Sequence, residues 1–102
     1  MSFRKKRHAA EYELHAPNST PGLIHLYGRV AWCLSRLIEA GSSGITAHDF
    51  PNARIAAYVL QIRKAGIEVA TAYEPNGSEW GGSHARYVLT SRVTIKQPQE
   101  VA

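Results

Sequence analysis

The sequence predicts one small α+β domain, three helices followed by a C-terminal β-hairpin, and three observations predict it. The chain has 102 residues, which supports a single modest core. From Leu23 to Gly41, and again from Ile55 to Gly66, apolar residues recur at steps of three and four, the spacing that gathers one stripe on one side of a helix. After Gly66 the period falls to two, the alternation of a half-buried strand.

Residues 1–20 place Arg4, Lys5, Lys6 and Arg7 in succession, then Pro17, Asn18, Ser19 and Thr20 with few apolar side chains. They read as a basic, flexible N-terminal arm. Thr20-Pro21 is a helix start, with a hydroxyl for the cap and a proline where its missing N–H is no loss. The first helix carries Leu23, Leu26, Tyr27, Val30, Leu34, Leu37 and Ile38 on its buried side and ends in Gly41-Ser42-Ser43-Gly44. Thr46 caps a helix of one or two turns through Ala47-His48-Asp49-Phe50. Pro51 stops it, because the residue before a proline is steered out of the helical region.

Asn52 caps the third helix, 52–65, whose stripe is Ile55, Val59 and Ile62 and whose left-handed end is Gly66. Ile67, Val69, Thr71 and Tyr73 then alternate with Glu68, Ala70, Ala72 and Glu74, and the turn formers of 74–83 follow. A second strand over 85–90 closes a long-looped hairpin, and Val93 and Ile95 are placed to extend it. Residues 97–102 read as a frayed tail, so the folded domain spans 21–96.

Hydrophobic residues make up 44% of the chain, which excludes a wholly disordered protein. No apolar run approaches the roughly 18–20 residues of a membrane span, and no apolar run follows the basic start, as a secretory signal requires. Cys33 is the single cysteine, so no internal disulfide can form and a reducing, cytoplasmic setting is expected. Net charge is +4. Residues 21–96 carry eight Lys/Arg against five acids, a net of +3, so the predicted domain is mildly basic. The run Arg4–Arg7 suits phosphate contact; a solubilising tail has the same pattern.

Long helix, short helix, tight turn, helix, hairpin is the order of a winged helix-turn-helix. The block Arg54-Ile55-Ala56-Ala57-Tyr58-Val59-Leu60-Gln61-Ile62-Arg63-Lys64-Ala65-Gly66 resembles the recognition-helix block of small winged helix-turn-helix domains from phages and bacterial mobile elements. The resemblance covers about residues 24–90. It departs from the pattern at Tyr58, where a basic residue often stands, and so lacks one phosphate-contacting candidate. The resemblance implies a DNA-binding fold in which 52–65 enters the major groove and the hairpin acts as a wing.

On the third helix Ala53, Arg54, Ala57, Gln61 and Lys64 point away from the Ile55–Val59–Ile62 stripe. The alanines leave room for close approach, Arg54 and Gln61 match guanine and adenine edges, and Lys64 reaches phosphate. Asn52, at the start of the helix, belongs to the same surface. Arg86 and His84 at the wing are phosphate candidates, opposed by Glu74 and Glu79. Trp80 either inserts, stacks or docks on a protein, or folds back on its own domain. Trp32 falls on the polar face of the first helix, where Phe3, Tyr12 and Leu14 of the arm, or a second copy of the chain, are expected to cover it.

His8, His15, His25, His48 and His84 are scattered without paired ligand spacing, so no metal, no cofactor and no catalytic group is expected. Two functions fit. One is a cytoplasmic, non-enzymatic DNA-binding regulator of phage or mobile-element type, for which a homodimer is the expected form, as for palindrome readers. The other is a protein-binding winged helix acting as an inhibitor, antiactivator or adaptor, which the acidic wing residues and the two tryptophans suit.

Overall fold

The computed structural model describes residues 7–15, 22–77, 79 and 81–101, and of these the side chains of 11–15, 22–77, 79 and 81–95. In chain order come β1 (Arg7–His15), β2 (Gly22–Tyr27), α1 (Gly28–Ala40), a 3-10 turn (Gly41–Ser43), β3 (Ile45–Thr46), α2 (Ile55–Lys64), β4 (Val69–Pro75), β5 (Ser83–Leu89) and β6 (Arg92–Val101). The strands form two antiparallel sheets, ordered β2-β1-β6 and β3-β5-β4. One core joins them: Tyr12 from β1, Cys33, Leu34 and Leu37 from α1, Ile45, then Ile55, Val59 and Ile62 from α2, with Ile67, Val69 and Val93. The domain is α+β as expected, but among the described residues it has two helices and six strands, not three helices and a terminal hairpin.

Helix α1 starts later than its leucine spacing predicts. The helix begins at Gly28, and residues 22–27, expected as its first turns, are strand β2. Leu23, His25 and Tyr27 are exposed while Ile24 and Leu26 are half-buried, so the segment has a period of two that its leucine spacing concealed. Tyr27 is extended at φ −134° and ψ 154°, and Gly28 at φ 63° makes the sharp change of direction into the helix that a side chain would resist.

The second helix does not form. Residues 47–53 run as successive turns, with Asp49 N–H on Thr46 O, Phe50 N–H on Ala47 O and Ala53 N–H on Phe50 O. Thr46 and Asp49 do cap one another: Asp49 Oδ2 accepts from Thr46 N at 2.8 Å and Thr46 Oγ1 from Asp49 N at 3.3 Å. The reciprocal box is present, and Pro51 stops propagation before it starts. Asn52 is not the cap of α2 either; that position is Arg54, at φ −91° and ψ 68°, with no side-chain cap.

Both ends of the chain differ from expectation. Residues 7–15, read as part of an arm, are β1, the middle strand of its sheet, and 97–101, read as a tail, lie in β6. Tyr12 stands opposite Ile24 and Ile95, and Leu14 opposite Val93. Tyr12 is fully buried; its hydroxyl donates to Ala31 O at 3.0 Å and, that proton being used, accepts from Ser35 Oγ at 3.0 Å.

The end of α2 is as the sequence predicts. Gly66, at φ 97°, donates to Arg63 O at 3.0 Å, Ile67 N–H donates to Ile62 O at 3.4 Å, and Ile62 and Ile67 are both buried. This is the paired Schellman closure with its apolar contact. Gly44 (φ 67°) lets the chain cross the wing sheet: a Cβ there would lie 2.4 Å from Tyr87 O.

Candidate nucleic-acid interface

Helix α2 turns Ile55, Val59 and Ile62 into the core. At about 100° per residue, Ala57, Leu60, Gln61 and Lys64 occupy the opposite side. Gln61, Lys64, Arg54 and Asn52 are exposed, and Ala53 and Ala57 are half-buried. Leu60 is 51% exposed. Residues 52–66 contain Arg54, Arg63 and Lys64 and no acid, so this surface suits a polyanion. Arg63 is committed elsewhere: its Nε and Nη2 donate to Val69 O at 3.2 and 2.7 Å, and Nη2 to Thr71 Oγ1 at 2.7 Å. It ties the end of α2 to β4.

The wing is β4, the loop 76–82 and β5. Alternation along β4 and β5 puts Glu74, His84 and Arg86 on the face away from Val69, Thr71 and Tyr73. There Arg86 Nε donates to Glu74 Oε2 at 2.7 Å and its Nη1 to Ser43 O at 2.8 Å. The Arg86 hydrogen bond holds the Glu74 carboxyl below its ordinary value, against a smaller opposing effect of desolvation, and Glu74 in turn raises Arg86. His84 contacts Glu74 Oε1 at 3.2 Å and Asn76 Oδ1 at 2.8 Å. The His48 ring lies 4.6 Å from that of His84.

The structure therefore brings Ala53, Arg54, Ala57, Gln61 and Lys64 to one helix and its approach, but Arg86 does not join them. It is the centre of a clamp on the other face of the wing. Glu74, expected to repel phosphate, has its charge answered by Arg86.

Trp32 is half-buried, and its cover comes from within the domain's own turn and helix. Phe50 meets it edge to face at 5.0 Å, and the Arg29 guanidinium sits 4.5 Å over its ring and 6.0 Å from that of Tyr58. A cleft of about 280 Å³, lined by Arg29, Trp32, Phe50, Asn52 and Ala53 among others, opens beside the start of α2. Tyr12, expected as a cover for Trp32, is the core residue already described.

Phe3, Arg4, Lys5, Lys6 and Trp80 lie outside the described residues, and of Arg7 the backbone alone is described, at the start of β1. Cys33 is buried; desolvation pushes its thiol up to about 11, with Arg29 opposing, which suits packing and not nucleophilic attack. Among the described residues no cluster of three or more His, Cys, Asp or Glu could hold a metal, and no helix is long and apolar enough to cross a membrane.

Sequence reasoning missed Leu60, Arg63 and Arg29. The wheel that selects Ala57, Gln61 and Lys64 also selects Leu60, but its apolar character argues for the core. Arg63 and Arg29 gave no signal, since their partners come from β4 and the aromatic turn.

No curated protein and no solved structure matches the chain. Residues 23–99 match the family described as winged helix domain. That span runs from β2 into β6, so it takes in both helices, the wing and two strands of the β2-β1-β6 sheet. Winged helix domains are as a class DNA-binding modules, and most are not enzymes. The chain belongs to the winged helix domain family.

Proposed function

We propose that the protein is a small cytoplasmic regulator that binds duplex DNA by laying α2 in the major groove. The observation that carries this reading is the outward side of α2, where Gln61 and Lys64 flank the small Ala57, Arg54 precedes them, and no acid intervenes from 52 to 66. Ala57 lets the helix backbone approach the bases. Gln61 supplies a donor and an acceptor for adenine, Arg54 a fork for guanine or phosphate, and Lys64 a phosphate contact. The resemblance of 54–66 to phage and mobile-element domains favours a regulator of that kind, and a palindrome-reading dimer is the natural form of one. Arg4–Arg7 would add contacts that do not depend on sequence.

Selection of duplexes from a random pool tests this. A defined sequence should be enriched, with affinity falling steeply as salt rises. Arg54→Ala and Gln61→Ala should relax the preference, whereas glutamines at Arg4–Arg7 should weaken all sequences alike. No enrichment together with a flat salt response would overturn the reading. The second reading, a protein-binding winged helix acting as inhibitor or adaptor, is favoured by a wing whose Arg86 is already engaged. It takes over if that selection fails.

A further inference from the structure

Leu60 is the one large aliphatic side chain on the outward side of α2, and half of its surface meets solvent. It does not pack into the Ile55–Val59–Ile62 core. Its neighbours there are Ala56, Ala57, Gln61 and Lys64. A leucine so placed leaves apolar surface in water, which an occupant of the face can cover.

The size and charge of the patch identify the occupant. Flanked by alanines, a glutamine and a lysine, one leucine makes a single apolar spot and not the broad apolar centre of an obligate protein interface. The surrounding segment carries Arg54, Arg63 and Lys64 without an acid, which complements a polyanion. The apolar group that a polyanionic duplex presents in its major groove is the C5-methyl of thymine.

We infer that Leu60, with Ala57 beside it, reads thymine C5-methyl groups, and that α2 consequently prefers A·T pairs beneath its second half. Gln61 stands on the other side of the Ala57–Lys64 ridge and takes an adenine edge, so both flanks of the helix select the same class of pair. The inference rests on the proposed entry of α2 into the major groove, and it assigns a specificity-determining role to Leu60.

Replacing thymine by deoxyuridine removes that methyl and leaves the hydrogen-bonding edge intact, which supplies the test. The full chain is titrated against its selected duplex and against the same duplex with deoxyuridine at each thymine. The native protein should lose about fourfold in affinity per contacted methyl, the equivalent of about 0.8 kcal/mol per buried carbon. Leu60→Ala, exposed and helix-compatible, should bind both duplexes alike. Gln61→Ala should bind more weakly yet keep the deoxyuridine penalty. If the native protein binds its duplex tightly and the uracil duplex equally well, the role of Leu60 is wrong while DNA binding stands. If no duplex is bound, the inference falls together with the proposed function, and Leu60 belongs to a protein contact.

Discussion

Tyr12 shows most sharply how one residue can govern this domain. Its ring fills the core from β1 and its hydroxyl meets Ala31 O and Ser35 Oγ inside α1. Burial raises the phenol above its ordinary value of 10.0, with the Ser35 hydrogen bond opposing, so the proton that Ala31 O accepts stays in place at neutral pH. Tyr12→Phe should lower stability by about 1–2 kcal/mol, since the ring remains while buried polar partners lose theirs. Denaturant unfolding followed by tryptophan fluorescence measures it, and an unchanged midpoint would refute that role. None of this could be read from the sequence around Tyr12. Glu11 and Glu13 flank it, and a strand with charges on its outer side resembles an arm until its partner strand is known.

Among the elements, the legible ones were those with local causes. The stripe of α2, its Gly66 closure and the period-two strand β4 each rest on neighbours within a few residues. So does the Thr46–Asp49 box, although the helix it was expected to start is absent. The illegible ones, β1, β2 and β6, exist because they pair with one another across the chain. The candidate site divides the same way: the outward residues of α2 follow from the wheel, but the diversion of Arg63 and Arg86 depends on β4 and on Ser43.

At the wing the Glu74–Arg86 clamp makes a definite prediction about pH. Glu74 titrates lower in the folded protein than its ordinary 4.5, so its contribution to stability is present above that ordinary value and is lost as pH falls through the folded one. The melting temperature of the native protein should exceed that of Glu74→Gln near neutrality, and the gap should close in acid. A gap that stays constant down to about pH 3 would show that the clamp's charge contributes nothing. Because the pair is partly solvent-exposed, salt should narrow the gap as well.

For the whole molecule, the β2-β1-β6 sheet changes what the N-terminal segment is. Removing residues 1–15 deletes the strand between β2 and β6 along with Tyr12. Such a truncation should lose cooperative thermal unfolding, whereas glutamine substitutions confined to Arg4–Lys6 should leave the melt unchanged. A truncated chain that melts as sharply as the full one would mean the sheet is dispensable. The experiment also cautions against using deletion to measure the phosphate contacts of the basic run, since loss of binding would follow from loss of the domain.

In the register of β1 with β6, Arg7 stands opposite Val101. That pairing makes timing a property of the fold. The β1–β2 hairpin can close as soon as Tyr27 is available, but the other edge of β1 must wait for residues 92–101, which follow both helices and the wing in the sequence. Until β6 arrives, a nascent chain presents an open backbone edge beside Tyr12, ready to pair with any extended strand that reaches it. Slow docking of β6 should therefore favour mispairing between neighbouring chains.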